Sequence, residues 1–291
     1  MDISYIKNKV CCLTFMLVFL IACQPDLEYN VKGYTQKIIV EATITEGECP
    51  IVRLSLNNPV WKKVDSATIL QNVIRYAKVT ISDGTETETL TSGWDPDHFP
   101  PYKYFGTELT GKAGHTYTLI VEYSGYTVTS STTIPESGKI LSFDTEKING
   151  KDSLRNLFMT LDMGNDKSRG YRVFSHNLKD KKFSEVNIVY NQDLSLSGVH
   201  RYMISPSVSN KERSYSYAPY FKQGDTIQIR LATIDSASTL FFRGLSMFSS
   251  TSGIANMFFN NEKQQLISNI TTPGFGIWCG ESVQYYQYII P

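Results

Sequence analysis

Short segments of alternating apolar and polar residues follow one another from residue 37 to residue 135. Residues 51–56 and 77–82 alternate in this way, and the second segment ends at the turn dipeptide Asp83-Gly84. A period of two is typical of a strand with one buried face, and Asp-Gly favours a tight hairpin turn. About seven such strands in roughly 100 residues, with no helical pattern between them, predict an antiparallel, immunoglobulin-like β-sandwich over residues 37–135.

The strand pattern is interrupted at residues 134–138, where Pro135 and Gly138 disfavour continued strand pairing. A new series of apolar segments begins at Ile140 and continues toward the end of the chain. We therefore predict a second β-rich domain, resembling a β-sandwich, over residues 136–291.

One segment of this second part changes its period from two to about four residues, which places its apolar side chains on one face of a helix. These apolar positions are Leu240, Phe241, Gly244, Leu245 and Phe248. Asp235 or Ser236 precedes them and is a suitable N-cap residue. The pattern predicts one helix near residues 236–248, packed on the second sandwich.

The N-terminal segment differs from the rest of the chain, because residues 10–22 are almost entirely apolar and follow Lys7 and Lys9. A charged stretch followed by an apolar stretch is typical of a secretory signal. A membrane-spanning helix needs about 20 apolar residues, which is more than this run supplies. Residues 1–22 are therefore predicted to be a signal peptide.

The predicted signal ends at Leu20-Ile21-Ala22-Cys23, which resembles the lipobox of bacterial lipoproteins. By that resemblance Cys23 begins the mature chain and carries acyl chains, and two or more such chains give a stable membrane anchor. Residues 23–36 would then be the lipidated cysteine and a tether. The alternative is an ordinary cleaved signal in which Cys23 is incidental.

The composition narrows the possible partners of the chain. The 28 basic and 28 acidic residues cancel, so no net field attracts nucleic acid, and no nucleic-acid partner is expected. Charged residues make up 19% of the chain and aromatic residues 12%, which excludes a disordered or coiled-coil protein.

Two cysteines, Cys49 and Cys279, remain in the predicted mature chain besides Cys23. In an oxidising compartment they could form one disulfide, and the alternative is two separate buried thiols. The chain contains neither a CxxC motif nor a Cys/His cluster at ligand spacing, so no metal site and no cofactor are expected.

Several segments together resemble a family of Bacteroidetes lipoproteins defined by a domain of unknown function of the 4249 type. The matching segments, in chain order, are residues 37–46 with 52–56, 77–84, 111–119 and 268–278. The resemblance implies a lipid-anchored protein of the cell outer membrane, often encoded beside a TonB-dependent receptor. It implies no activity, because the family has no established one.

The first candidate for ligand binding is the Pro-rich aromatic segment 94–104. Trp94, His98, Tyr102 and Tyr104 could stack on a sugar of a glycan or pack on a peptide. Asp95 and Asp97 in the same segment supply too few oxygens for a calcium ion. The alternative is that these aromatic residues cap the core at one end of the sandwich.

The second candidate is the Tyr/Ser-rich segment 214–221, in which Tyr215, Tyr217 and Tyr220 have the composition of an adaptable binding surface. Its alternative is a strand with exposed tyrosines near a domain interface.

The chain contains no Gly-x-Ser-x-Gly elbow, no HExxH motif and no phosphate-binding P-loop. We therefore expect a non-catalytic outer-membrane lipoprotein, either an accessory subunit or a ligand-binding partner of a TonB-dependent receptor. Two alternatives remain open. One is an envelope hydrolase with a carboxylate pair in the cleft between the domains, and the other is a purely structural or adhesive surface protein.

Overall fold

β-Strands dominate the structure, so the prediction of a mostly β fold is confirmed. The computed structural model describes residues 35–59, 64–165, 169–178, 184–189, 198–206, 220–249 and 267–291. The predicted signal peptide, Cys23 and most of the tether lie outside the described residues, as do Tyr215 and Tyr217.

The first half of the chain forms two facing sheets. Its elements are β1 (Ile38–Thr45), β2 (Ile51–Leu56), α1 (Ser66–Gln71), β3 (Lys78–Ser82), β4 (Thr87–Thr89), β5 (Thr91–Trp94), β6 (Tyr102–Phe105), β7 (Thr116–Tyr123) and β8 (Tyr126–Thr133). One sheet has the order β4-β3-β7-β8, and the other contains the run β1-β2-β6-β5. Alternate residues of both sheets, such as Val40, Val52, Val79 and Leu119, fill a common core. This is the sandwich that the period of two predicts.

The second half has its own core. Its elements are β9 (Lys139–Ile148), β10 (Lys151–Asp162), β11 (Gly170–Asn177), β12 (Ser184–Val189), β13 (Val199–Ile204), β14 (Phe221–Lys222), β15 (Thr226–Ile234), α2 (Ser236–Ser249) and β16 (Gly274–Ile289). One sheet has the order β13-β10-β14, with β9 also paired to β10. The other contains the run β12-β11-β15-β16. Leu157, Met159, Val173 and Ile229 are buried between them.

The last strand, β16, joins the two halves. Its residues Gly274 to Glu281 pair in parallel with β1, and its residues Glu281 to Ile289 pair antiparallel with β15. One sheet of eight strands, β12-β11-β15-β16-β1-β2-β6-β5, therefore runs through both sandwiches. Residues 36–58 and 64–291 accordingly form one compact unit.

This strand corrects the predicted division of the chain. Ile134, before the predicted boundary, is buried in the first core, and Ile140, after it, is buried in the second. Residues 136–291 do not all belong to the second sandwich, however, because Trp278 of β16 is buried in the first core. Its indole Nε1 donates a hydrogen bond to the Tyr117 carbonyl oxygen at 3.0 Å. Periodicity locates a strand but does not show which distant strand it pairs with.

Helix α2 begins where the sequence predicts it. The Asp235 side chain accepts a hydrogen bond from the Ser238 backbone N–H at 2.7 Å, which caps the helix. Phe241 is buried against Ile277 and Cys279 of β16. The short helix α1 was not predicted, because six residues are too few to show a helical period.

Candidate binding site

The predicted aromatic segment 94–104 forms the end of strands β5 and β6 and the loop between them. Trp94 and Tyr102 lie directly opposite each other in the two strands. The Trp94 side chain is 67% exposed and that of Phe99 is 53% exposed, whereas Tyr102 is half-buried. The fold thus presents large apolar rings to solvent at one edge of the eight-stranded sheet.

A buried carboxylate anchors this loop to the sheet. Asp95 accepts a hydrogen bond from Arg53 Nη2 of β2 at 2.7 Å, and Lys103 Nζ of β6 lies 3.5 Å from the same oxygen. Burial raises the pKa of Asp95, but the hydrogen bond from Arg53 and the charge of Lys103 outweigh burial and hold the pKa below its ordinary value. Asp95 is therefore an anion paired with two cations of the chain.

Backbone hydrogen bonds fix the loop further. The Asp95 N–H donates to the Pro101 carbonyl at 3.3 Å, and the His98 N–H donates to the Asp95 carbonyl at 3.2 Å. The half-buried His98 places its Nδ1 atom 3.4 Å from the Pro100 carbonyl oxygen. His98 therefore packs within the loop, and the loop holds its shape through its own contacts.

Tyr104 is not part of the exposed surface, which corrects its prediction as a ligand contact. Its ring is fully buried in the first core. Its hydroxyl donates to the Ile74 carbonyl at 3.0 Å and accepts from the Ala77 N–H at 2.9 Å. Burial raises the pKa of Tyr104 to about 12. The structure therefore supports the alternative prediction for Tyr104, in which this aromatic residue packs on the core.

Tyr102 has a different role, because it ties the loop to the segment before β3. Its hydroxyl donates to the Arg75 carbonyl at 3.2 Å, and the Arg75 guanidinium lies 6.0 Å from the ring centroid. The next residue, Tyr76, is 91% exposed. We call Tyr76, Trp94, Phe99 and Tyr102 the aromatic surface.

Sequence reasoning missed Tyr76 and Phe99 as members of this surface. Phe99 lies within the predicted segment but is not among the residues predicted to contact a ligand. Tyr76 lies outside that segment and follows Arg75, whose carbonyl contacts Tyr102. The strand pattern begins at residue 77, so it places Tyr76 in a connecting segment, but it does not place that segment beside residues 94–104.

Most of the second predicted segment, 214–221, lies outside the described residues. Of its three tyrosines, Tyr220 is described, and it is half-buried directly before β14 of the second sandwich. Lys151 Nζ lies 5.7 Å from the centroid of its ring. Tyr220 thus contacts a lysine of the second sandwich.

Cys49 and Cys279 are free thiols; Cys279 is buried, as the alternative of two buried thiols predicts, whereas Cys49 is half-buried. Burial raises the pKa of Cys279 strongly, and the negative charge of Glu281 raises it further. Burial and Glu88 also raise the pKa of Cys49. Both sulfurs therefore stay protonated at neutral pH, and neither has the lowered pKa of a nucleophilic cysteine.

Two carboxylates that the structure brings together lie on an exposed strand rather than in a cleft. Asp144 and Glu146 of β9 both accept hydrogen bonds from Arg201. The hydrogen bond from Arg201 lowers the pKa of Asp144. A glycosidase needs one carboxyl group whose pKa is raised so that it can donate a proton, and Asp144 has the opposite shift.

Two further findings concern metals and membranes. Within the described ranges, no three His, Cys, Asp or Glu side chains come together as a metal site. Neither helix of the described part is long and apolar enough to cross a bilayer.

The fold and the site define a two-sandwich β protein with an exposed aromatic surface at one sheet edge. Residues 24–286 match DUF4249, a domain of unknown function, and the chain belongs to this family. The resemblance seen in the sequence is thus confirmed at the level of the family. A comparison with curated proteins finds no match.

Among solved structures, the chain is similar to a segment of two fibronectin type-III domains from chicken tenascin. The sequence identity is 12%, the alignment covers 67% of this chain and 88% of that chain, and the TM-score is 0.21.

Proposed function

We propose that this chain is a non-catalytic lipoprotein of the outer membrane that docks on a TonB-dependent receptor through its aromatic surface. The observation that carries the proposal is the exposure of Trp94 and Phe99 on a loop that a buried ion pair fixes. Large apolar rings exposed to water do not stabilise the fold, whereas exposed apolar patches are typical of interaction surfaces.

The residue types of the surface favour a protein partner. Trp, Tyr and Arg are the residues most often found to dominate binding energy at protein interfaces. The aromatic surface contains Trp94, Tyr76 and Tyr102, and Arg75 lies against Tyr102. Because Arg53 and Lys103 already hold the loop through Asp95, binding would cost little ordering entropy.

The sequence supports a location at which such a surface is useful. Acyl chains on Cys23 and the tether of residues 23–36 would hold the molecule close to membrane receptors. Tethering raises the effective concentration of one partner near the other, so a contact surface of modest area suffices. The family resemblance supports a Bacteroidetes outer membrane and a TonB-dependent receptor as that partner.

The experiment is the recovery of partners with the full-length chain, extracted from membranes in mild detergent after crosslinking. Mass spectrometry should find acyl chains on Cys23 and a co-purifying β-barrel receptor. The Trp94→Ala variant should reduce receptor recovery by roughly thirtyfold or more, since a central interface tryptophan contributes about 2 kcal/mol or more.

The matched control is Tyr126→Ala, which removes a 57% exposed ring from β8 in the same sandwich. This variant should recover the receptor at the wild-type level. A monomeric chain after crosslinking would contradict the accessory role and favour the structural or adhesive alternative. Equal recovery by Trp94→Ala and the wild type would contradict the aromatic surface as the docking site.

A further inference from the structure

A second site lies in the other half of the eight-stranded sheet. A groove of about 360 Å³ is lined by Gln228 of β15 and by Tyr285, Tyr286 and Gln287 of β16. Small-molecule sites commonly have volumes of about 300–1,000 Å³, so the groove has room for one small ring.

The strand register arranges the side chains around this groove in two rows. Phe174, Arg230 and Tyr285 lie opposite one another across β11, β15 and β16. His176, Gln228 and Gln287 form the next row on the same face. Neighbouring strands are about 4.8 Å apart, so a row with two aromatic rings and a guanidinium group between them runs beside a row of hydrogen-bonding side chains.

Three of the lining residues, Gln228, Tyr285 and Gln287, lie on the face directed away from the second core, whereas Tyr286 packs against that core. The alternate residues of β15, Ile227, Ile229 and Leu231, are fully buried in that core. Gln228 and Arg230 therefore project to the opposite face, because successive side chains of a strand alternate. On that face Tyr285 is 64% exposed and Gln287 is also exposed.

The aromatic row is held in place by charged contacts. The Arg230 guanidinium carbon lies 4.7 Å from the Phe174 ring centroid, and Arg230 also forms an ion pair with the buried Glu281. Arg172 lies 5.0 Å from the same ring on its own strand. Arg230, the neighbour of Tyr285 in this row, is therefore held in place before any ligand arrives.

We propose that this groove binds a pyranose sugar of a glycan. A pyranose ring has an apolar face of C–H groups, which packs on an exposed aromatic ring such as Tyr285. Its hydroxyl groups both donate and accept hydrogen bonds. A Gln side chain does the same through its amide N–H and C=O groups, so Gln228 and Gln287 match adjacent hydroxyls.

Two other ligand classes fit less well. A peptide in extended form binds by adding a strand to a sheet edge, whereas the groove is lined by side chains on the face of the paired strands β15 and β16. Nucleic acid requires unneutralised cations, whereas Arg230 is paired with Glu281 and the chain has no net charge.

The groove is distinct from the aromatic surface. The two occupy opposite halves of the same sheet, and the strands β1, β2 and β6 separate β16 from β5 in the strand order. A receptor bound at Trp94 would therefore leave Tyr285 accessible, and one molecule could hold a glycan while it is docked.

The test uses the full-length chain in mild detergent on a printed array of α- and β-linked gluco-, galacto-, manno- and N-acetylhexosaminyl oligosaccharides. The strongest binder is then titrated calorimetrically. We expect saturable binding, weakened roughly tenfold by Tyr285→Ala and about two- to tenfold by Gln287→Ala. Tyr126→Ala should bind with unchanged affinity.

Circular dichroism of each variant establishes that it is folded, and Gln287→Ala provides the test if Tyr285→Ala does not fold. A silent array would overturn the proposal. So would binding that Tyr285→Ala and Gln287→Ala leave unchanged, or that Tyr126→Ala weakens equally. No receptor is present in this titration, so its result is independent of the docking proposed above.

Discussion

At the residue scale, the candidate site depends on how Asp95 is neutralised. Its carboxylate lies between Arg53 and Lys103, at 2.7 and 3.5 Å, and it connects the loop to β2 and β6. A group whose pKa is lowered on folding stabilises the protein while it is ionised. This contribution is present at neutral pH and is lost as the pH falls through the lowered pKa of Asp95.

The Asp95→Asn variant should therefore lose about 1–3 kcal/mol of unfolding free energy at neutral pH, because charge-assisted hydrogen bonds contribute about that much. The loss should shrink toward acid pH, where the wild-type carboxyl group is itself protonated. Thermal unfolding between about pH 2 and pH 7 measures this difference.

Asp97→Asn is the matched control, since Asp97 is an exposed aspartate of the same loop. Its unfolding free energy should differ from that of the wild type by less than about 0.5 kcal/mol. Equal effects of the two substitutions would show that Asp95 does not anchor the loop.

The residues of the site also show which of its features the sequence predicts and which it does not. The segment 94–104 was identified from its composition, and Trp94 is exposed as a binding role requires. Tyr104 was assigned to the same surface, but it lies opposite the buried Val52 and points into the core. Tyr102 and Tyr104 are two positions apart, yet Tyr104 is buried and Tyr102 is half-buried. The difference depends on how far the opposite sheet extends, and the sequence of one segment does not contain that information.

At the scale of elements, β16 decides the architecture. Glu281 is the residue at which this strand changes partner, because it is in register with both Thr45 of β1 and Ile234 of β15. Its buried carboxylate accepts hydrogen bonds from Thr45 Oγ1 at 3.1 Å and from Arg230. One side chain thus connects strands of both sandwiches.

We expect Glu281→Gln to destabilise the protein by about 3 kcal/mol or more, because removing one charge of a buried pair leaves the other uncompensated. Urea-induced unfolding at neutral pH gives this value from the shift of the transition midpoint.

The comparison variant is Glu122→Gln, which removes the charge of an exposed pair with Lys78 at 2.9 Å. An exposed pair contributes at most about 1 kcal/mol, so this variant should unfold close to the wild type. If Glu281→Gln were no more destabilising than Glu122→Gln, the junction would not depend on the ion pair.

At the scale of the whole molecule, the two sandwiches have separate cores but share a sheet. Val79 and Leu119 belong to the first core, and Leu157 and Met159 belong to the second. Neither half is complete without β16, which supplies Trp278 to one core and packs Tyr286 against the other. The molecule should therefore behave as one cooperative unit.

The corresponding prediction is a single unfolding transition. In a variant with Trp61→Phe and Trp94→Phe, fluorescence of Trp278 reports on the first core, and hydrogen exchange of β10 amides reports on the second, so both should change at the same denaturant concentration. Helix α1, which has no buried residue, should exchange earlier and serves as an internal reference. Loss of protection in β10 before the Trp278 signal changes would show that the sandwiches unfold separately.

The sequence by itself determined the features that depend on near neighbours along the chain. These are the alternating strands, the break at residues 134–138, and the helix capped by Asp235, since each is a property of a short window. The resemblance of residues 20–23 to a lipobox is equally local, and the proposed location rests on it.

Only the tertiary structure decided the features that join distant residues. Arg53 and Asp95 are 42 positions apart, and Thr45 and Glu281 are 236 positions apart. The partner change within β16 and the two rows of side chains at the groove both follow from strand pairings between distant residues. Strand pairing depends on the free energy of packing the whole sheet, and a local pattern is compatible with many partners.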